Sequence, residues 1–226
     1  MIQPQAGQYS FLTSLVILLV TVGVITSCEI DPVIESTLVP DNALFSDQFD
    51  PVNSGNWHLE SDDLGGSAIE NNQMIIGVNA PNTIQYSTLR EPVFDDFRLQ
   101  VDLALLDGTE AVSYGVLFRM NDLNEFYRFE ITGDGLFMVE KANADGSWLQ
   151  YLANWKKADS IEIGKDVWNT LRVDAIGSEL SFYVNNTLVY SMTDDALAVG
   201  NIGLDIGTFG QLSASAAFDN LIVQNP

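Results

Sequence analysis

The chain has 226 residues, of which 46% are hydrophobic, and its 31 acidic against 9 basic side chains give a formal net charge of −22. The hydrophobic content excludes a disordered chain, and the negative charge argues against nucleic acid and anionic lipid headgroups as partners because it repels phosphate. The single cysteine and single histidine exclude an internal disulfide and any metal site built from several Cys or His ligands.

The one histidine, His58, follows Trp57 in a predicted strand near the start of the folded domain. A Ser-His-Asp triad could use only this histidine, and the chain contains no Gly-x-Ser-x-Gly sequence that would supply the nucleophile. The sequence therefore predicts a structural role for His58.

Residues 1–27 are predicted to be a lipoprotein signal peptide. Residues 11–25 form an uncharged apolar run that is shorter than the roughly 20 residues needed to span a bilayer. The run ends in Ile25-Thr26-Ser27-Cys28, which resembles the bacterial lipobox, where the cysteine is lipidated and becomes the new N-terminus. Cys28 is the only cysteine of the chain. Since no Lys or Arg precedes the run, an uncleaved membrane anchor stays open as the alternative.

Both interpretations place the rest of the chain outside the cytoplasm, tethered to the cell membrane and facing the cell envelope or the extracellular side. Residues 28–42 are acidic, contain two prolines and show no sustained periodicity, which is typical of a spacer. Residues 43–226 are predicted to form one domain, because their length suits a single large sandwich.

The pattern of residues 43–226 predicts short strands and no long amphipathic helix. Apolar and polar residues alternate over 98–105 and again over 180–184, the period of a half-buried antiparallel strand. Between such segments lie turn sequences, among them Gly133-Asp134-Gly135, Asp145-Gly146 and Asn185-Asn186, the last fitting a two-residue hairpin. About a dozen strands at this spacing indicate an all-β sandwich or barrel.

Several of these segments resemble the concanavalin A-like jelly rolls of bacterial exported proteins. That group includes laminin-G-like domains and the domain family often labelled as hydrolases of keto-disaccharides. The resemblance implies an antiparallel jelly-roll β-sandwich and extends over nearly all of the predicted mature chain. The segments that carry it are YGVLFR (114–119), FYRFEI (126–131), WNTLRV (168–173), FYVNN (182–186), GNIGL (200–204) and FDNL (218–221).

Related jelly-roll glycoside hydrolases carry their catalytic carboxylates on one strand, as Glu-x-Asp-x-Glu or Glu-x-Asp-x-x-Glu. In this chain Glu60-Ser61-Asp62 begins the pattern, but Leu64 and Gly65 stand where the second glutamate is needed. No catalytic residue is therefore predicted from a single strand. Carboxylates that come together from different strands stay open as a source of hydrolase activity.

A carbohydrate-binding platform is predicted at Trp148, Tyr151 and Trp155 in the segment SWLQYLANW, which precedes Lys156-Lys157. Pyranose rings stack their C–H faces on aromatic rings beside hydrogen-bonding groups. The alternative is that at least one of the two tryptophans packs into the core.

Three charged residues, Arg119, Arg128 and Glu130, occur on two successive strands that are otherwise strongly apolar. They are predicted either to line the concave face and contact carbohydrate, or to form a cross-strand ion pair on a solvated face.

A structural calcium ion is predicted between the first and last strands, because calcium prefers oxygen ligands and the resemblance implies a carboxylate from each end of the domain. Asp47, Asp50 and Asp219 occupy suitable positions.

The sequence as a whole predicts a surface lipoprotein whose sandwich is a non-catalytic module for polysaccharide or glycoconjugate. The first alternative is a glycan hydrolase of the keto-disaccharide type. The second is a structural or adhesion domain that binds protein.

Overall fold

The computed structural model describes residues 39–122, 124–210 and 213–226. The predicted export helix, the lipidation site Cys28 and most of the predicted spacer lie outside these ranges. Within them, no helix is long and apolar enough to cross a membrane.

The described residues form strands joined by turns, together with one short 3₁₀ helix over Pro51–Asn56. The strands are numbered in chain order, and every pairing between them is antiparallel. They are β1 (Ala43–Asp47), β2 (Trp57–His58), β3 (Ser61–Asp62), β4 (Gly65–Glu70), β5 (Gln73–Val78), β6 (Ile84–Leu89), β7 (Phe97–Asp107), β8 (Ser113–Asp122), β9 (Glu125–Thr132), β10 (Leu136–Ala142), β11 (Trp148–Gln150), β12 (Lys156–Lys157), β13 (Asn169–Ile176), β14 (Glu179–Val184), β15 (Thr187–Thr193), β16 (Asn201–Gly207) and β17 (Ala214–Gln224).

These strands form two sheets. Sheet A has the order β15-β14-β13-β7-β17-β5-β4-β3, with β1 paired to β17. Sheet B has the order β11-β10-β9-β8-β16-β6-β2, with β12 paired to β10. Strands from the two ends of the chain lie side by side in both sheets, as β17 lies between β5 and β7. The predicted all-β fold, an antiparallel jelly-roll sandwich, is confirmed.

The core lies between the two sheets and is rich in aromatic rings. Phe182 of sheet A lies 5.1 Å from Phe129 and 6.1 Å from Phe118, both of sheet B, measured between ring centroids. All three side chains are fully buried. Burial of several such rings supplies much of the free energy that favours folding, at about 25 cal/mol for each Å² of apolar surface removed from water.

The tight turns use residues that tolerate positive φ. Asn185 and Asn186, at φ 48° and 65°, join β14 to β15 as the predicted two-residue hairpin. Gly135 and Gly146 also have positive φ, at 93° and 81°, within the two other predicted turns. These turn predictions are confirmed. The turns could be predicted from the sequence because their conformation depends on adjacent residues.

The outer face of sheet B is more buried than the outer face of sheet A. In sheet A, β5 and β13 alternate between buried and partly buried residues, as expected for a strand with one face toward solvent. In sheet B, the first eight residues of β8 and the last seven of β9 are all buried. Both faces of these strands are therefore shielded, although the outer face carries charged side chains.

Candidate functional site

The outer face of sheet B is defined by the strand register. In β16, Leu204 and Ile206 point into the core, so the intervening Asp205 points outward. Asp205 lies opposite Tyr86 of β6 on one side and Gly115 of β8 on the other, and Gly115 lies opposite Glu130 of β9. Residues opposite one another share a face, which brings Tyr86, Asp205 and Glu130 onto one surface.

A pocket of about 260 Å³ lies at the β2–β6 side of this face, here called the His58 pocket. His58 lies opposite Thr88, and the alternation along β2 directs Trp57 into the core and His58 outward. The side chain of His58, predicted to be structural, is exposed. Glu60 and Tyr86 complete the lining.

The His58 pocket combines an imidazole, a carboxyl group, a phenol and a hydroxyl group. Burial and the negative charge of Glu60 raise the pKa of Tyr86, which keeps its phenol protonated as a hydrogen-bond donor. An adjoining cavity of about 190 Å³ shares His58 and Thr88 and extends the pocket toward the end of β8. Its other lining residues are Leu89, Met120, Asn121, Asp122 and Asn201.

At the centre of the face, Arg128 of β9 contacts three carboxylates, and these four residues are called the Arg128 cluster. Its Nη2 atom lies 2.7 Å from Glu130 Oε2 and 2.5 Å from Asp205 Oδ2, and its Nη1 atom lies 3.1 Å from Glu140 Oε1. All four side chains are buried. Such charge-assisted contacts to a guanidinium fix the positions of the carboxylates.

Gly207 has no side chain, which leaves space for this guanidinium. A Cβ atom on Gly207 would lie 3.0 Å from Arg128 Nη2 and 3.0 Å from Ser113 Oγ. Contacts this short would displace the side chains, so any larger residue at position 207 would disturb the cluster.

Burial changes the pKa of two carboxyl groups of the cluster, Glu130 and Asp205. Burial raises the pKa of Glu130 to about 8, since the nearby charges of Asp205 and Glu140 oppose ionisation and Arg128 offsets them only in part. Burial also raises the pKa of Asp205. The carboxylates in turn raise the pKa of Arg128 although it is buried, so Arg128 stays charged.

The cluster therefore contains a close pair of carboxyl groups. Because Glu130 Oε2 and Asp205 Oδ2 contact the same nitrogen, they lie within about 5 Å of each other. A pair in which one group is protonated and the other ionised can donate a proton at one point and accept one at another.

The three predicted aromatic residues do not form one platform. Trp148 is partly exposed and packs edge-on against Phe126 at 5.7 Å on the outer face of sheet B. Tyr151 instead points inward, where its hydroxyl donates to Asp194 and its ring lies 6.4 Å from Tyr127.

Trp155 lies at the opposite end of β10 from Trp148. Trp148 pairs with Ala142, whereas Lys156, the neighbour of Trp155, pairs with Phe137. Five residues of strand separate these points, or about 17 Å at 3.3 Å per residue. Trp155 is half-buried against the core.

The three predicted charged residues also separate. Arg128 and Glu130 lie on the outer face of sheet B, and their ion pair is buried within one strand rather than solvated and cross-strand. Arg119 is buried elsewhere and donates to the backbone oxygens of Asp95 and Leu197. Its contacts hold the two loops that precede β7 and β16.

The aspartates of the predicted calcium site have other partners. The two oxygens of Asp47 accept hydrogen bonds from Phe49 N at 2.7 Å and from Trp57 Nε1 at 3.0 Å. Asp50 caps the 3₁₀ helix, and Asp219 accepts from Asn220 N. In the described part of the chain, no three His, Cys, Asp or Glu residues are grouped to hold a metal ion. The calcium ion stays a prediction.

Sequence reasoning missed Glu60, Tyr86, Glu140 and Asp205. A signal was present for Asp205, which stands as a charge inside the apolar strand NIGLDIG with glycines on either side. A buried charge in such a strand needs a partner, and the glycines leave the space for one.

Residues 44–224 match the family described as 3-keto-alpha-glucoside-1,2-lyase-like domain. No curated protein has a matching sequence.

Solved structures with a similar fold include binding and catalytic proteins. The carbohydrate-binding module CBM66 from Bacillus subtilis is 18% identical with a TM-score of 0.61, and the match covers 75% of this chain and 96% of that one. The catalytic domain of a Thermotoga petrophila laminarinase, an endo-1,3-β-glucanase, is 10% identical with a TM-score of 0.58, covering 82% and 98%. A Bacillus subtilis protein of unknown function with a galectin-like fold is 10% identical with a TM-score of 0.62, covering 81% and 96%. At these identities the similarity establishes the fold.

The raised pKa of Glu130 predicts a pH-dependent stability that Glu130→Gln removes in part. The folded protein keeps the Glu130 proton up to about pH 8, whereas the unfolded chain loses it near pH 4. Between these values the folded state binds more protons, so the free energy of unfolding falls as pH rises, by up to ~1.4 kcal/mol per pH unit. Urea denaturation at pH 5, 6, 7 and 8 measures this slope.

Glu70→Gln is the matched control, because Glu70 is exposed at the end of β4. This variant is expected to keep the wild-type slope. Parallel profiles for wild type and Glu130→Gln would contradict the assignment of the proton to Glu130.

Proposed function

The chain belongs to the family of 3-keto-alpha-glucoside-1,2-lyase-like domains, and we propose from this premise that it recognises glycans through the outer face of sheet B. The observation that carries the proposal is the His58 pocket. It offers the phenol ring of Tyr86 for stacking, and the imidazole of His58, the carboxylate of Glu60 and the hydroxyl of Thr88 for hydrogen bonds to sugar hydroxyls.

The size and openness of the pocket suit a sugar. Its volume of about 260 Å³ lies near the lower end of the range for small-molecule sites, which begins at about 300 Å³. His58 and Glu60 are exposed, so a ligand reaches them from solvent. The fold is shared with a carbohydrate-binding module and with a glucanase, which supports the same class of ligand.

Tyr86→Ala is expected to weaken glycan binding by about tenfold or more, since it removes the ring that a sugar would stack on and a hydroxyl that would bind it. A glycan array identifies ligands, and calorimetry on a bound glycan measures the loss. Tyr183→Ala is the control, because Tyr183 lies in β14 of sheet A beneath Arg172. Equal losses in the two variants would contradict the proposed face, and an array without any bound glycan would favour a protein ligand.

A second candidate function, cleavage of glycosides, is favoured by the close pair of Glu130 and Asp205. Their oxygens lie no more than about 5 Å apart, which does not exceed the carboxyl separation of about 5–5.5 Å in retaining glycosidases. The elimination named in the family description also needs an acid and a base. A base removes the proton at C2 of the 3-keto sugar, its electrons form a C1–C2 double bond, and the alcohol leaves C1 with a proton from the acid. Glu130 would be the acid and Asp205 the base.

Glu130→Gln is expected to abolish release of the alcohol from a 3-keto-α-glucoside while glycan binding persists, because glutamine cannot transfer the proton. Chromatography of the reaction products measures the release. Glu70→Gln should cleave at the wild-type rate. If the wild-type protein binds the glycoside and releases nothing, the cleavage proposal fails and glycan recognition stands.

We also propose that the protein is held at the cell membrane by a lipid on Cys28. The support is the lipobox-like Ile25-Thr26-Ser27-Cys28, which lies outside the described residues. Cys28→Ser is expected to move most of the protein from the membrane fraction to the soluble fraction, whereas Ser27→Ala leaves it with the membrane. Fractionation and immunoblotting distinguish the two. A Cys28→Ser protein that stays with the membrane would point instead to an uncleaved anchor.

A further inference from the structure

A second pocket lies on the outer face of sheet B, at the β8–β10 side and away from His58. It has a volume of about 320 Å³ and is called the Trp155 pocket. Its lining residues are Ala111, Thr132, Asp134, Leu136, Trp155 and Phe209.

The strand register places this pocket on the same face as the Arg128 cluster. Thr132 lies opposite Ser113, which lies opposite Gly207. Gly207 follows Asp205 by two residues in β16, so both face outward. The Trp155 pocket therefore adjoins the Arg128 cluster, and the His58 pocket adjoins the same cluster from the other side through Tyr86.

Two aromatic rings form the walls of the Trp155 pocket. The rings of Trp155 and Phe209 have centroids 6.0 Å apart and planes at 77° to each other. Trp155 packs against the core, which holds its ring in place, while Phe209 is about half exposed. A sugar in the angle between them could stack on one ring and contact the edge of the other.

The polar group of the pocket is the exposed carboxylate of Asp134. Thr132 Oγ1 donates to Asp134 Oδ1 and accepts from Leu136 N at 3.1 Å. Asp134 Oδ2 has no hydrogen-bond donor among the described residues, so it can accept a bond from a ligand hydroxyl.

The two pockets are too far apart for one sugar unit. The His58 pocket lies on β2 and β6, whereas the strand residues of the Trp155 pocket, Thr132 and Leu136, lie on β9 and β10. Three strand spacings separate β6 from β9, or about 14 Å at 4.8 Å each. The face between them carries the carboxylates of Asp205 and Glu130.

We propose that the Trp155 pocket is a second sugar subsite, and that the ligand is an uncharged glycan chain that extends across the face from the His58 pocket. This inference rests on the proposed glycan recognition. The glycan is uncharged because the exposed carboxylates of Glu60 and Asp134, in a protein of net charge −22, repel uronate and sulfate groups.

The experiment measures binding of neutral gluco-, fructo- and manno-oligosaccharides of one to six units to the purified protein by calorimetry. Within the series that the protein binds, the affinity is expected to rise about tenfold or more from the shortest oligosaccharide that binds to the hexamer. Trp155→Ala abolishes this rise and leaves the affinity for the shortest bound oligomer unchanged. Tyr86→Ala weakens every length.

Two further variants keep the result interpretable. Asp134→Ala changes an exposed side chain away from the core and is expected to reduce the increase of affinity with length. It tests the subsite even if Trp155→Ala fails to fold. Trp168→Ala, at an exposed tryptophan next to β13 of sheet A, is expected to bind as wild type. Oligouronates of the same lengths are expected to bind more weakly than the neutral series, and equal binding would overturn the uncharged class.

The outcomes separate this inference from the proposed function. Binding that is independent of length and unchanged in Trp155→Ala and Asp134→Ala would overturn the second subsite and leave glycan recognition intact. If no oligosaccharide of any length binds, both proposals fail.

Discussion

The contact of one guanidinium with three carboxylates organises the outer face of sheet B. Arg128 reaches Glu130 of its own strand, Glu140 of β10 and Asp205 of β16. A carboxylate buried without a partner would cost several kcal/mol, so these charges can be shielded only while the guanidinium lies between them. The contact therefore requires the glycine at position 207, keeps Arg128 charged and sets the relative positions of three strands.

Two pockets flank the Arg128 cluster on the outer face of sheet B. Gly115, Gly203 and Gly207 have no side chains, and they lie on the outer face among the residues of the cluster. Tyr86 and His58 form walls on one side, and Trp155 and Phe209 form walls on the other. The result is a face with aromatic groups at both ends and charge between them, which is an arrangement suited to an extended polar ligand.

Recognition and cleavage of a glycan place different demands on this one face. Recognition needs only the exposed groups of the pockets, such as His58 and Glu60, to meet sugar hydroxyls. Cleavage also needs Glu130 and Asp205 to exchange protons with the sugar, which their raised pKa values suit. The jelly-roll fold does not distinguish glycan binding from glycan cleavage, because a binding module and a glucanase both have it.

The sequence by itself determined the strands, the hairpin at Asn185 and Asn186, and the all-β class, because alternation and turn chemistry depend on neighbouring residues. The tertiary structure decided which residues form the site. Asp205 meets Arg128, 77 positions away, only through the order β9-β8-β16. Trp148 and Trp155 are close in sequence but lie at opposite ends of β10, since the chain between them runs along that strand. Strand order and register arise from packing between distant segments, which local periodicity does not encode.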